Sequence, residues 1–180
     1  MLFYIIIVFV IAQRLTEVYI AKRNEKWMLS QGAHEVGVSH YPYMIALHSS
    51  FFLFLTIEVI ANKMSLSPFF PLLFLLFLTV QALRIWCLRS LGKFWNTKII
   101  ILPDAKVVKK GPYVYFRHPN YAVVCLEIVL LPLMFQAYFT AFCFTLLNIT
   151  MLSVRIPMEE KALRETTNYN HVFKKKISEH

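Results

Sequence analysis

The chain alternates long uncharged runs with short polar segments. Residues 1–20 carry only Arg14 and Glu17 as charges, and residues 36–57 and 64–83 carry none. Each run is close to the roughly 20 residues that cross about 30 Å of hydrocarbon at ~1.5 Å per residue. Between residues 118 and 154 the only charge is Glu127, and that stretch is too long for one span. Pro132 and Gln136 within "LPLMFQAY" mark a natural break, so two short helices joined by a tight turn are predicted there. The pattern predicts an all-α integral membrane protein with about five transmembrane helices.

Composition supports the pattern. Hydrophobic residues make up 58% and charged ones 16% of the 180 residues, which leaves too little charge to cover a soluble fold of this size. The 16% aromatic content excludes a disordered chain. The net charge of +9 raises the question of nucleic acid, but Lys and Arg lie between the apolar runs instead of forming one basic face, so no nucleic-acid partner is expected. With five spans and the N-terminus outside, segments 21–42, 84–118 and 155–180 lie in the cytoplasm and hold 17 of the 19 Lys and Arg residues. That bias predicts a multi-pass protein of the cell membrane with a cytoplasmic C-terminus. No positive charge precedes the first apolar run, which argues against a cleavable signal peptide. The terminal "FKKKISEH" reads as a solvated tail attracted to anionic lipid.

Cys87, Cys125 and Cys143 are scattered without C-x-x-C spacing, so they read as small buried hydrophobes, and no metal site is expected. With four glycines in all, a glycine-rich phosphate loop is excluded. His40 and His48 read as packing or interface histidines. Arg14 and Glu17, three apart, read as a local pair. Glu127, costly in lipid, must face the protein interior, where it either lines a substrate tunnel or pairs with Arg84 or Arg14.

Polar chemistry gathers at two places. In "IIILPDAKVVKKGPYVYFRHPNY", β-branched residues and a Gly-Pro turn predict a short extended or hairpin segment on the membrane face. Tyr113, Tyr115, Arg117, His118, Asn120 and Tyr121 then fall within nine residues, with Pro119 at a helix start that leaves positive N–H groups available to an anion. Interfacial anchoring would also favour Tyr and Arg there. The second group is "VRIPMEEKALRE". Arg155 and Glu159 share a helix face, and Pro157 reads as a helix start between them; a juxtamembrane helix with i,i+4 ion pairs would look similar. The tight turn between helices four and five returns both groups to the same membrane face, where they form a candidate site.

"GPYVYFRHPNY", a hydrophobic hairpin and then "RIPMEE", covering roughly residues 90–175, resemble the isoprenylcysteine carboxyl methyltransferase family of integral membrane methyltransferases. Membrane sterol reductases that use NADPH carry a similar "RHPNY", so a reductase is the alternative, and a non-enzymatic scaffold or transporter a third reading. The Arg-x-x-x-Glu-Glu block resembles the methyltransferases more. The resemblance implies three helices over residues 1–89 followed by a methyltransferase core over residues 90–180, as one structural unit. Its cofactor site would lie at the cytoplasmic face between the helix 4/5 hairpin and the C-terminal helix. S-adenosylmethionine would be bound by Tyr113, His118, Pro119, Asn120, Tyr121 and Glu159, with Val107 and Val108 of a strand-like stretch lining the pocket. Arg155 would sit by the substrate and the transferring methyl, and Arg117 would support the substrate side of the pocket. Glu160 is either a supporting partner or solvated.

Arg155 stays protonated and cannot be a base, so it would orient an oxyanion, whereas His118 is the base near these motifs for a less acidic acceptor. The chain is short, like the family's bacterial members. The implied acceptor is a lipophilic small molecule drawn from the lipid bilayer, either an alkylpyrone or alkylresorcinol-type polyketide or an isoprenoid-linked carboxylate.

Overall fold

In a computed structural model, residues 1–63 and 65–173 are described; the basic tail after Phe173 lies outside them. Six helices and two short strands follow in the order α1 (Leu2–Ser30), β1 (His34–Val36), α2 (Tyr41–Ala61), α3 (Phe70–Leu91), β2 (Ile99–Ile101), α4 (Pro119–Met134), α5 (Tyr138–Thr166) and α6 (Tyr169–Phe173). Four of the helices, α1, α2, α3 and α5, are long and apolar enough to cross a membrane. With 16 residues, α4 spans only about 24 Å at ~1.5 Å per residue, less than the hydrocarbon thickness. Outward apolar side chains such as Ile5, Phe9, Phe54, Leu75 and Phe142 remain exposed, as befits a bundle solvated by lipid.

Phe3, Ile6 and Val10 of α1 form the interior with Phe51 and Leu55 of α2, Phe77 of α3, Leu131 of α4 and Phe144 of α5. One layer further along, the same interior holds charge. Arg14 Nη2 lies 2.7 Å from Glu127 Oε1 and Arg14 Nη1 2.5 Å from Glu17 Oε2. Arg84 Nη1 lies 3.1 Å from Glu17 Oε2, Arg84 also pairs with Glu127, and Gln81 donates to Glu127 at 2.7 Å. Glu127 thus pairs with Arg84 and Arg14 together, so this one cluster pins α1, α3 and α4.

The two ends of the bundle are built differently. At one end, Glu58 of α2 accepts from the Phe139 and Thr140 amides at 2.9 and 2.7 Å and from the Thr140 hydroxyl, capping the start of α5. Asn62 donates to the Gln136 carbonyl at 3.1 Å, and Gln136 to the Leu66 carbonyl at 2.6 Å. The predicted turn between α4 and α5 is here, at Phe135–Ala137, with Gln136 at φ 55°. Pro132 does not mark the break but sits inside the last turn of α4.

At the other end, β1 and β2 pair antiparallel, with His34 opposite Ile101 and Val36 opposite Ile99. The extended segment predicted in "IIILPDAKVVKK" is therefore confined to Ile99–Ile101, and its partner is the loop after α1, not a neighbouring strand of a local hairpin. Ala105–Val108 form no strand. Ile99 and Ile101 pack on Ala162 of α5, so the small sheet closes this end over the helices. Lys98 Nζ bonds Glu25 at 2.7 Å and Glu35 at 2.9 Å, and these two bonds raise its pKa above the usual lysine value.

Pro157 starts no new helix. It lies within α5, which runs unbroken through Arg155 and Glu159, so the helix start expected there falls inside α5, and the separate C-terminal helix is the short α6 at Tyr169–Phe173. Pro157 and Ser153, the residue whose carbonyl the proline leaves without its i+4 donor, are both exposed, so that carbonyl is free to meet solvent or headgroups.

Candidate functional site

Both polar motifs reach the closed end. The loop before α4 is held by a 3₁₀ turn, Gly111–Val114, packed on α3. Gly111 has φ 57°, and a Cβ there would collide with Ser90 Oγ and Trp86 Nε1, so only glycine lets the turn approach this closely. The turn buries Tyr113 among Val80, Cys87 and Val123. Burial above all, then Cys87 and Glu159 nearby, push the Tyr113 phenol well above its ordinary pKa, which keeps it a hydrogen-bond donor. Its hydroxyl nevertheless has no partner among the described residues, and neither does Asn120 Oδ1. A buried polar atom left unpaired costs about 1–3 kcal/mol.

His118 caps α4 and Pro119 opens it. One turn on, Tyr121 reaches across to α5: its hydroxyl donates to Glu159 Oε2 and accepts from Arg155 Nε at 2.8 Å. Arg155, buried, also donates to the Thr97 carbonyl at 2.6 Å, and its Nη1 lies 3.0 Å from Met44 Sδ. Arg155 and Glu159 thus share a helix face as expected, but a phenol hydroxyl stands between them. Neither belongs to an ion pair among the described residues.

Glu160 is neither solvated nor solitary. It faces His118 Nε2 at 3.1 Å and Arg117 Nη1 at 3.6 Å, and it pairs with Arg164. The His118 ring stacks on Tyr121 with centroids 5.5 Å apart, and Arg117 is half exposed at the rim. Val107 and Val108 line the same space from an irregular loop. The loop is strapped to the end of α5 by the Asp104 amide on the Thr166 carbonyl at 2.9 Å, and to Asn168 by the Val107 amide on its Oδ1 at 2.8 Å.

Val107, Val108, Tyr113, Arg117, His118, Asn120, Tyr121, Arg155 and Glu159 border one cavity of roughly 590 Å³, whereas Pro119 and Glu160 lie behind its wall. From Tyr113, Asn120, Tyr121, Arg155 and Glu159 it continues into the bundle between Val10, Phe52, Phe77 and Leu131, and it passes His48 and Asn148 on the way. A polar mouth therefore opens into an apolar arm. Met44, Thr97, Asn168 and His48 were not foreseen as wall or anchoring residues. Thr97 acts through its backbone carbonyl and Met44 through an otherwise ordinary apolar side chain, so neither carries a signal in the sequence.

Apolar helices around a cavity with a built polar mouth define an integral membrane protein with a candidate ligand site. Residues 72–165 match the isoprenylcysteine carboxyl methyltransferase (ICMT) family. The chain is also 48% identical to the uncharacterized protein YpbQ of Bacillus subtilis (strain 168), over 91% of this chain and 98% of that one. It is 27% identical to an uncharacterized protein of Haemophilus influenzae, over 92% and 94% of the two chains. No solved structure matches significantly. The chain belongs to the ICMT family, a family of membrane methyltransferases, and all the motif residues described above fall within or beside the matched region.

Proposed function

We propose that the protein is an S-adenosylmethionine-dependent O-methyltransferase acting on a lipophilic acceptor from the bilayer, with its site at the cytoplasmic face. The observation that carries this reading is the cavity mouth, where a carboxylate and a guanidinium without ion-pair partners among the described residues meet two buried polar atoms that are likewise unpaired there, at the entrance to an apolar arm.

That donor set suits the cofactor. Glu159 can accept from its ammonium or ribose diol, the Tyr113 hydroxyl can donate to a carboxylate or a ring nitrogen, and Asn120 Oδ1 can accept from an amine. His118 and the start of α4 at Pro119 offer a positive edge to the carboxylate. Val107 and Val108 supply the apolar side of the pocket. When bound, S-adenosylmethionine supplies a methyl group on a positively charged sulfur. Arg155 holds the acceptor oxygen by a charge-assisted hydrogen bond, and Arg117 guards the rim. The apolar arm aligns the acceptor and excludes water, which is the main requirement of an in-line displacement. An alkylpyrone or alkylresorcinol-type polyketide and an isoprenoid-linked carboxylate both fit a polar head at Arg155 with a tail in the arm.

The reductase alternative draws on "RHPNY" alone, whereas the match to the methyltransferases spans residues 72–165. To test the proposal, membranes containing the protein are incubated with methyl-labelled S-adenosylmethionine and host lipid extract. A labelled lipid is expected. Absence of both label transfer and S-adenosylmethionine binding by the purified protein, with NADPH binding in its place, would sink it.

A further inference from the structure

The turn before α4 has an outer side that the cavity does not use. Tyr113 is buried within Gly111–Val114, whereas the next three side chains, Val114, Tyr115 and Phe116, are 48%, 76% and 67% exposed. They belong to no spanning helix, yet they are as bare as the lipid-facing Phe9 and Phe142. A run of large apolar side chains on a loop marks a surface that something covers.

Depth decides what that is. Gly111 seats the turn against Trp86 and Ser90, in the last two turns of α3, which ends at Leu91. The turn therefore stands beside the end of a spanning helix and not above it. Trp86 itself is half exposed. The helix that follows, α4, falls about 6 Å short of the hydrocarbon thickness, and Val114–Phe116 lie just ahead of its first residue, Pro119. A tryptophan, a tyrosine and a phenylalanine at this level match the aromatic belt that sits among lipid headgroups.

Positive charge flanks the belt. Lys109 and Lys110 directly precede the turn and are exposed, and neither pairs with a carboxylate among the described residues. Lys109 Nζ lies 5.7 Å and Arg117 Cζ 6.0 Å from the centre of the Phe173 ring, so two cations gather around one aromatic side chain. Glu160, the acid that faces Arg117, is shared with His118 and Arg164, which leaves the patch positive.

We propose that an anionic phospholipid docks on the outer side of this turn, its phosphate held by Lys109, Lys110 and Arg117 and its chains against Tyr115 and Phe116, and that it tightens cofactor binding on the inner side. The docking stands on this surface alone; the coupling rests on the methyltransferase reading above. The connection is short, because the same turn buries Tyr113 at the cavity and runs through His118 into the start of α4. A lipid that holds the turn in place lowers the ordering cost left to the cofactor.

To test this, the full chain is reconstituted in phosphatidylcholine vesicles containing a minor fraction of brominated phosphatidylglycerol or of brominated phosphatidylcholine. Quenching of Trp86 is read as the difference from Trp86→Phe. The phosphatidylglycerol should quench Trp86 more. That preference, as a ratio of apparent association constants, should fall roughly 5-fold for each lysine removed in Lys109→Gln/Lys110→Gln; gel filtration in detergent reports that the variant is folded. The affinity for S-adenosylmethionine should be roughly 5-fold higher in vesicles with phosphatidylglycerol, the low end for two coupled sites. An anionic surface also concentrates a positively charged cofactor, so the lysine variant is the reference: it keeps that surface effect and should lose most of the difference.

Equal quenching by the two brominated lipids, or a preference untouched by the lysine substitutions, would overturn the docking. No affinity difference, or one as large in the variant as in the wild type, would overturn the coupling. Tyr115→Ser together with Phe116→Ser should weaken quenching without changing the oligomeric state; conversion of a dimer to a monomer would overturn the proposal in favour of a second copy on this face. A wild type that binds no S-adenosylmethionine in either vesicle fails the methyltransferase reading instead, and the quenching is read independently of it.

Discussion

Two charged clusters border the same cavity and are put together in opposite ways. In the inner one, Arg14 and Arg84 meet Glu17 and Glu127 directly, and the Arg84 side chain is 4% exposed. In the outer one, Arg155 and Glu159 are kept apart by the Tyr121 hydroxyl, and neither is paired with an opposite charge among the described residues. The same residue types, an arginine and a glutamate on neighbouring turns, thus give a closed structural joint in one place and an open pair of contacts in the other. Neutralised charge pins helices; unneutralised charge is available to a ligand.

The contrast can be broken most severely from the inside. Glu127→Ala leaves two guanidinium groups short of a partner inside the bundle, and a loss of about 3–5 kcal/mol is expected. It should appear as loss of folded protein on gel filtration in detergent. Replacing Arg84 by Met together with Glu127 by Leu should recover much of that loss, since the charges leave together; no recovery would mean that the cluster does more than hold charge.

Glu58→Gln, at the opposite end of the bundle, weakens the cap on α5 and should cost about 1–2 kcal/mol. Resistance to proteolysis near the α4–α5 turn measures it, with cofactor affinity unaffected. At the mouth the signature reverses. Glu159→Ala should change stability by about 1 kcal/mol or less and yet abolish S-adenosylmethionine binding in calorimetry. Tyr113→Phe removes an unpaired buried hydroxyl, so it should raise stability by up to about 1 kcal/mol while weakening the cofactor. A destabilised Tyr113→Phe would show that the hydroxyl is already satisfied within the protein.

Smallest is the effect of Lys98→Met, about 1 kcal/mol or less for a partly exposed ion pair. Because folding raises the Lys98 pKa, the stability it contributes is fully present below the ordinary lysine value and is lost as pH rises through the raised one. The difference between wild type and Lys98→Met should therefore hold constant at neutral pH and shrink only in alkaline buffer. A difference that had already vanished at neutral pH would contradict this coupling.

The sequence is informative where one motif and one turn decide the geometry. "RHPNY" and "RIPMEE" flank a hairpin, and a hairpin can only bring its two ends together, which places His118, Tyr121, Arg155 and Glu159 at one end of the bundle. The length of each apolar run is equally direct evidence, because lipid demands it. Other features depend on information that no short stretch carries. β1 is three residues long and its partner lies more than sixty residues away, so neither periodicity nor a local turn announces the pairing. The inner cluster needs the rotational register of three helices at once, and from sequence Glu127 can be matched with Arg14 or Arg84 but not with both. Pro157 misleads for a physical reason: a proline usually opens or ends a helix in water, but a long apolar helix tolerates one on its exposed face, where the freed carbonyl finds a partner.

The unbroken course of α5 through Pro157 sets a length. Its first residues are clamped at one end of the bundle by Glu58, and Glu159 follows Tyr138 by 21 residues, or about 31 Å along the axis at ~1.5 Å per residue. That is about one hydrocarbon thickness. With no hinge between clamp and carboxylate, the helix acts as a measuring rod that fixes the depth of the site from the far face of the membrane. Bilayer thickness then becomes a variable of the site. A thicker or thinner membrane changes how far Glu159 and Arg155 stand from the headgroups.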